Sequence, residues 1–273
     1  MDGVPDGTSD ESIWGALLEE FEWLHGQMNP RLRTTFAPVF VLFELKTIVL
    51  CLRNNAIGKG ARVDALLRRS LLAEPLQQGL RAGDTIESAV VAVTDVLTTA
   101  TEAFGDLQSA FAEEGLKGFE RNLVRDYLQH LTAQRMHPVL NMFFRRFIDL
   151  RNMLLLYKHL RWDVEDGAAF IAGGTVEASR LHHILAHKDM TALDALVMEA
   201  GIGRTPPAAS EGILETMLLR SMTKRLRKSS REYEDVGLIL DYVWHLYTQA
   251  RNLAVLYHGR DIETGILERE LIL

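Results

Sequence analysis

Cysteine is nearly absent: Cys51 is the one thiol in 273 residues. No intrachain disulfide can form, which excludes a disulfide-stapled secreted fold and points to a cytosolic compartment. Cys51 stands in the apolar run Thr47-Ile48-Val49-Leu50-Cys51-Leu52. Burial there raises a thiol's pKa and makes it a poor nucleophile. Long apolar runs are lacking too. A membrane-spanning helix needs about 20 consecutive apolar residues, and the best stretch, PVFVLFELKTIVLCL, carries Glu44 and Lys46 near its middle. The chain is expected to be soluble, with any membrane contact peripheral. The opening MDGVPDGTSD is acidic and has no apolar signal-peptide core. Residues 1–8 read as a disordered tail.

Catalytic signatures are also missing. The sequence has no G-x-x-x-x-G-K-[ST] loop, and Gly58-Lys59-Gly60 is too short to cradle a nucleotide. H-E-x-x-H and C-x-x-C are absent. Glu22 and His25 form a Glu-x-x-His, but the second copy that a di-metal bundle needs is not there. His183 and His187 stand four apart without a third ligand and read as surface residues. No catalytic residue, cofactor or metal site is expected. The net charge of −7 gives no general attraction to nucleic acid or anionic lipid.

What is present is helical periodicity. From Ile13 onward, Trp14, Leu17, Leu18, Phe21 and Leu24 recur on one face. Thr8 and Glu11 offer a capping box ahead of them. The pattern predicts helices near 11–26, 36–56, 61–72, 85–103, 105–131, 136–160, 178–186, 190–200, 211–227, 232–258 and 263–272. No segment has the period of a strand, so the fold class is all-α. Gly and Pro punctuate the junctions, Pro206-Pro207 above all. Unit boundaries are expected near 104 and 209, giving units 9–104, 105–209 and 210–273.

The chain also repeats itself. ELKTIVLCLRN from Glu44, DLRNMLLLYKH from Asp149 and QARNLAVLYHG from Gln249 align on Lys46, Arg151 and Arg251. Each copy has a polar residue, an apolar one, a basic one and then Thr47, Asn152 or Asn252. An apolar run follows and ends on Arg53, Lys158 or His258. Lys46 and Arg151 are 105 residues apart, and Arg151 and Arg251 are 100 apart. Near-equal spacing indicates one helical module used three times. The repeat residues Lys46, Arg151, Asn152, Arg251 and Asn252 are expected to be framework. Asn can satisfy backbone groups of an adjacent turn, and Arg can bury its stem while its head stays wet.

A cluster of cations, Lys224, Arg225, Arg227, Lys228 and Arg231, is the sharpest charge feature. It is either a solvated helix end or a patch facing an anionic partner.

The stretches FFRRFIDLRNMLLLYKHLRWD (143–163) and FIAGGTVEASRLHHIL (170–185) resemble the middle unit of the C/d stalk family of V/A-type ATPases. YVWHLYTQARNLAVLYHGRDIETGILERELIL (242–273) is similar to that family's closing unit, and FELKTIVLCLRNNAIGKGARVDALL (43–67) to its first. Thr47 departs from the Asn of the other copies, and residues 1–35 carry no match. The resemblance implies three related helical units arranged as a funnel with pseudo-threefold organisation. It implies a non-catalytic central-stalk component without cofactor. Such a component is seated on the membrane proteolipid ring at the cytoplasmic face, holds the rotor axle subunits and passes torque between them. One copy per complex and no nucleic acid are expected. The alternative is a helical scaffold unrelated to the rotary motor.

Overall fold

A computed structural model describes residues 9–83, 85–162, 168–202, 211–232, 234–260 and 262–272. The expected tail at 1–8 and the boundary near 209 lie outside these residues. All regular structure among the described residues is helical. Two compact units are present. One is Trp14–Gln134, and the other joins Met1–Ile13 to Arg135–Leu273. The other expected boundary, near 104, falls at a 3-10 turn, Glu102–Phe104, inside the unit Trp14–Gln134.

Helix α1 (Asp10–Gln27) starts where Ser9 and Ser12 exchange reciprocal bonds. Each hydroxyl accepts from the other's backbone N–H, at 2.8 and 3.1 Å. This is a capping box one residue beyond the expected Thr8–Glu11 pair, and Thr8 is not among the described residues. Helix α2 (Pro30–Ala56) begins six residues earlier than periodicity predicts. Asn29 caps it by accepting from Leu32 N at 2.9 Å. Pro30 takes the first helical position, where a missing N–H costs nothing. Asn29-Pro30 is thus a start signal rather than a break.

In the unit Trp14–Gln134, α2 is the central element. It packs against α3 (Gly60–Leu67), α4 (Glu74–Ala82), α5 (Ile86–Ala100) and α6 (Leu107–Ala133). By length and composition α2 could cross a membrane, but two thirds of its most apolar window is buried inside the protein. It is apolar on nearly all sides because neighbours cover nearly all sides. Phe21 of α1 packs against Phe40 and Phe43, with ring centroids 5.5 and 5.8 Å away.

Helix α4 is not predicted by the periodicity. Its Pro75 and Gly79 look like breakers, yet Pro75 sits in the first turn, and Leu76 and Leu80, one turn apart, are both buried. Helix α6 is two helical pieces joined at Gly115, whose φ of 64° and ψ of −151° lie outside helix space. Only glycine takes that conformation freely.

In the second unit, α7 (Pro138–Trp162) holds the central place. It packs against α8 (Ala178–Ala186), α9 (Met190–Glu199) and the pair α10 (Glu211–Glu232) and α11 (Glu234–His258). The short α12 (Thr264–Glu270) lies against α10 and α11. Phe143 is the hub, 5.2 Å from Phe144 and 5.9 Å edge-on to Trp244. Each unit also contains a buried tryptophan that donates to a threonine hydroxyl: Trp14 to Thr47 at 3.0 Å and Trp244 to Thr223 at 2.9 Å. Satisfying the indole N–H is what allows such a large ring into a core.

Candidate functional site

The three motif copies fall on α2, α7 and α11, the long helices at the heart of the two units. Their side chains reach forward along the chain at nearly fixed intervals. Glu44 accepts from Ser70 Oγ at 2.7 Å and from Leu71 N at 2.6 Å. Asp149, at the aligned position, accepts from Thr175 N at 2.8 Å, Val176 N at 3.0 Å and Thr175 Oγ1. The intervals are 26 and 27 residues in both copies. A buried acid in each helix therefore fastens the same downstream turn, through a hydroxyl residue followed by an aliphatic one. The third copy has Gln249 there, and it is exposed.

The asparagines form a second set of locks. Asn152 donates to Ile171 O and accepts from Ile171 N, both at 2.8 Å. Asn252 makes the same pair of bonds with Ile272, at 2.8 and 2.9 Å. A carboxamide offers a donor and an acceptor side by side, the complement of one residue's peptide groups. The intervals are 19 and 20 residues.

Thr47 cannot span such a gap. Its hydroxyl accepts from Trp14 and hydrogen-bonds the Glu44 carboxylate, so copy one ties α1 to its own buried acid. Burial pushes the Glu44 carboxyl above the usual carboxylate range, against the hydrogen bonds from Ser70, Leu71 and Thr47. Burial also pushes the Cys51 thiol, one of its neighbours, up to about 12, with the Glu44 charge adding to the effect.

The motif cations diverge. Lys46 Nζ lies 4.6 Å over the Trp14 ring. Arg251 donates to Glu270 O at 3.1 Å and pairs with Glu215 at 3.2 Å. With Arg220, which donates to Leu271 O, it caps the C-terminal end of α12. Arg151 is exposed on α7.

Sequence alignment singles out the basic and Asn positions. The acids two residues earlier do more of the fastening. Extending the comparison by 26 residues reveals them, because Ser70-Leu71 and Thr175-Val176 are the same pair in chemical type.

The cation cluster of α10 divides. Lys224, Arg227, Lys228 and Arg231 are exposed and recur at helical spacing along one face. Lys228 is paired with Glu232 at 3.7 Å. Arg225 points elsewhere, to Ala200 O at the end of α9, at 2.5 Å. Glu22 lines a surface cleft with Trp23, Arg68 and Arg69, while His25 packs edge-on to Phe40 at 5.8 Å. The His183 and His187 rings are exposed and lie tilted against each other, with centroids 4.2 Å apart. Among the described residues, no three His, Cys, Asp or Glu side chains gather as a metal site would require.

Comparison with curated proteins finds no match. The family described as "ATP synthase (C/AC39) subunit" matches residues 4–266, nearly the whole chain and all three motif copies. The chain therefore belongs to the ATP synthase C/AC39 subunit family, whose members are parts of V/A-type ATPase complexes.

Proposed function

We propose that this chain is a non-catalytic central-stalk subunit that couples the membrane proteolipid ring to the rotor axle during ion transport. The family match over residues 4–266 carries the reading. The geometry supports it in two ways. First, the motif acids and amides are committed to backbone groups inside the protein, so they act as framework that stiffens each unit. A torque-bearing part must hold its shape, and buried, satisfied hydrogen bonds do that. Second, α11 presents Leu238, Tyr242 and Leu253 to solvent, at 60, 40 and 46% exposure. Their spacings of 4 and 11 residues put them on one face, with Leu246 between them. A row of exposed large apolar side chains marks a surface meant for a partner.

On this reading α11 receives an axle segment. The stripe Lys224, Arg227, Lys228 and Arg231 meets an acidic partner surface. Three related units, with boundaries near 104 and 209 and arranged as a pseudo-threefold funnel, form the body. The chain acts in one copy per complex, at the membrane periphery and without cofactor. The test is co-purification with ring and axle subunits in a reconstituted complex. The wild-type chain should recover both. The double variant Leu238→Asp with Leu253→Asp, folded by circular dichroism, should lose the axle. Recovery of neither partner by the wild type sinks the proposal.

A further inference from the structure

The three motif copies agree at one further position. Eleven residues beyond Lys46, Arg151 and Arg251 stand Ile57, Trp162 and Ile262. Each is a large apolar side chain left in water, at 61, 57 and 48% exposure. Each lies where its central helix ends. Ile57 caps α2, Trp162 is the last residue of α7, and Ile262 follows the turn after α11. The backbone at these ends is held. Ile57 N donates to Asn54 O at 3.3 Å and Ile262 N to Gly259 O at 2.9 Å.

One exposed apolar residue needs no explanation. The same exposure at the same register of three copies does, because it adds nothing to the packing of any of them. One turn before each tip stands a basic residue, Arg53, Lys158 or His258. Arg53 is paired with Glu120 at 3.2 Å and His258 with Asp10 at 2.8 Å. Acids adjoin two of the tips in sequence: Asp163 follows Trp162, and Asp261 and Glu263 flank Ile262. An anionic lipid surface favours apolar tips among unpaired cations, so it fits poorly here. A protein surface fits better. Three equivalent contacts on one chain suit a partner that repeats the same surface, and a ring of proteolipids is such a partner.

Resting on the central-stalk reading above, we propose that Ile57, Trp162 and Ile262 seat the chain on the membrane ring. Each tip buries its side chain against an exposed loop of a ring subunit. Linked contacts reinforce one another, so none has to be strong alone.

The full chain is titrated onto detergent-solubilised ring and, separately, onto the axle subunits. The wild type should bind both. The triple variant Ile57→Ser, Trp162→Ser, Ile262→Ser, folded by circular dichroism, should bind the ring at least about tenfold more weakly and the axle unchanged. Each single replacement should weaken ring binding by less than the triple one. A triple variant that keeps its ring affinity overturns this assignment and leaves the stalk reading standing. So does one that loses the axle and keeps the ring. A wild-type chain that binds neither partner overturns both. Sedimentation with phosphatidylcholine vesicles is the lipid arm. Vesicle binding that the triple variant loses, with ring affinity intact, assigns the tips to lipid and overturns the proposal.

Discussion

Replacing Asn152 with alanine deletes two hydrogen bonds at once and strands both peptide groups of Ile171. Asn152 is 1% exposed and Ile171 is 7% exposed, so water has little access to either group. A buried donor or acceptor left unpaired costs about 1–3 kcal/mol. For two groups the loss is about 2–5 kcal/mol, allowing for some relaxation into the space left by the amide. The effect is local, so amide exchange is the sharper assay. At about 1.4 kcal/mol per tenfold, the Ile171 amide should exchange between roughly thirtyfold and a few thousandfold faster. Asn252→Ala is the internal control. Its partner Ile272 is as buried as Ile171, at 6% exposure, but Asn252 itself is only half-buried, so water can enter the space its amide leaves and replace the lost bonds. That variant should lose about 1 kcal/mol. Asn152→Asp keeps an acceptor for Ile171 N and sets a carboxylate oxygen against Ile171 O, so it should fare no better than alanine. If Ile171 exchange changes by less than about threefold in Asn152→Ala, the account of the lock is wrong. The same holds if Asn252→Ala proves the more damaging of the pair.

Two further outcomes follow from the acids. Glu44 is held above its usual range by burial, so the folded state binds its proton more tightly than the unfolded chain does. Its contribution to stability is therefore full below the ordinary carboxylate range and is lost as pH rises through the raised folded value. Denaturant unfolding of wild type and Glu44→Gln, compared from neutral pH downward, should show the wild type gaining on the variant. A flat or opposite difference refutes the assignment. Gly174→Ala would drive a Cβ into Asp149 Oδ1 and to within 3.1 Å of Ile148 Cγ2. About 1–3 kcal/mol should be lost, as in other overpacked sites. Faster exchange at Thr175 and Val176 should accompany the loss, and an unshifted melting temperature would contradict it.

The helical class and most helix positions are legible in the sequence because apolar spacing is a direct image of the buried face. Helix α4 is not, since Pro75 and Gly79 read as breakers until the position of Pro75 in the first turn is seen. The start of α2 is placed six residues late, because apolar spacing becomes regular only from Phe36 and says nothing of the Asn29 cap and Pro30 at the first helical position. The repeat is visible in the aligned run, and with it Asn152 and Asn252. What each residue touches is not visible, because a hydrogen bond to a residue 19 or 26 positions on leaves no periodic trace. The division of the α10 cations is equally hidden. Spacing alone cannot say that Arg225 turns back to Ala200 while its neighbours stay in water. Nor does it reveal that Arg146, from a helix some eighty residues earlier, stands beside it.

The short reach of the motif locks bears on how the chain acquires its structure. Each acid or amide finds its partner 19–27 residues downstream. Loop-closure entropy grows only slowly with length, and contacts of low sequence separation form early. The Glu44 lock needs nothing beyond Leu71, and the Asn152 and Asp149 locks nothing beyond Val176. During synthesis at roughly 5–20 residues per second, the first lock can close several seconds before the second has been translated. A chain built this way sets its central helices one at a time, in the order in which they leave the ribosome.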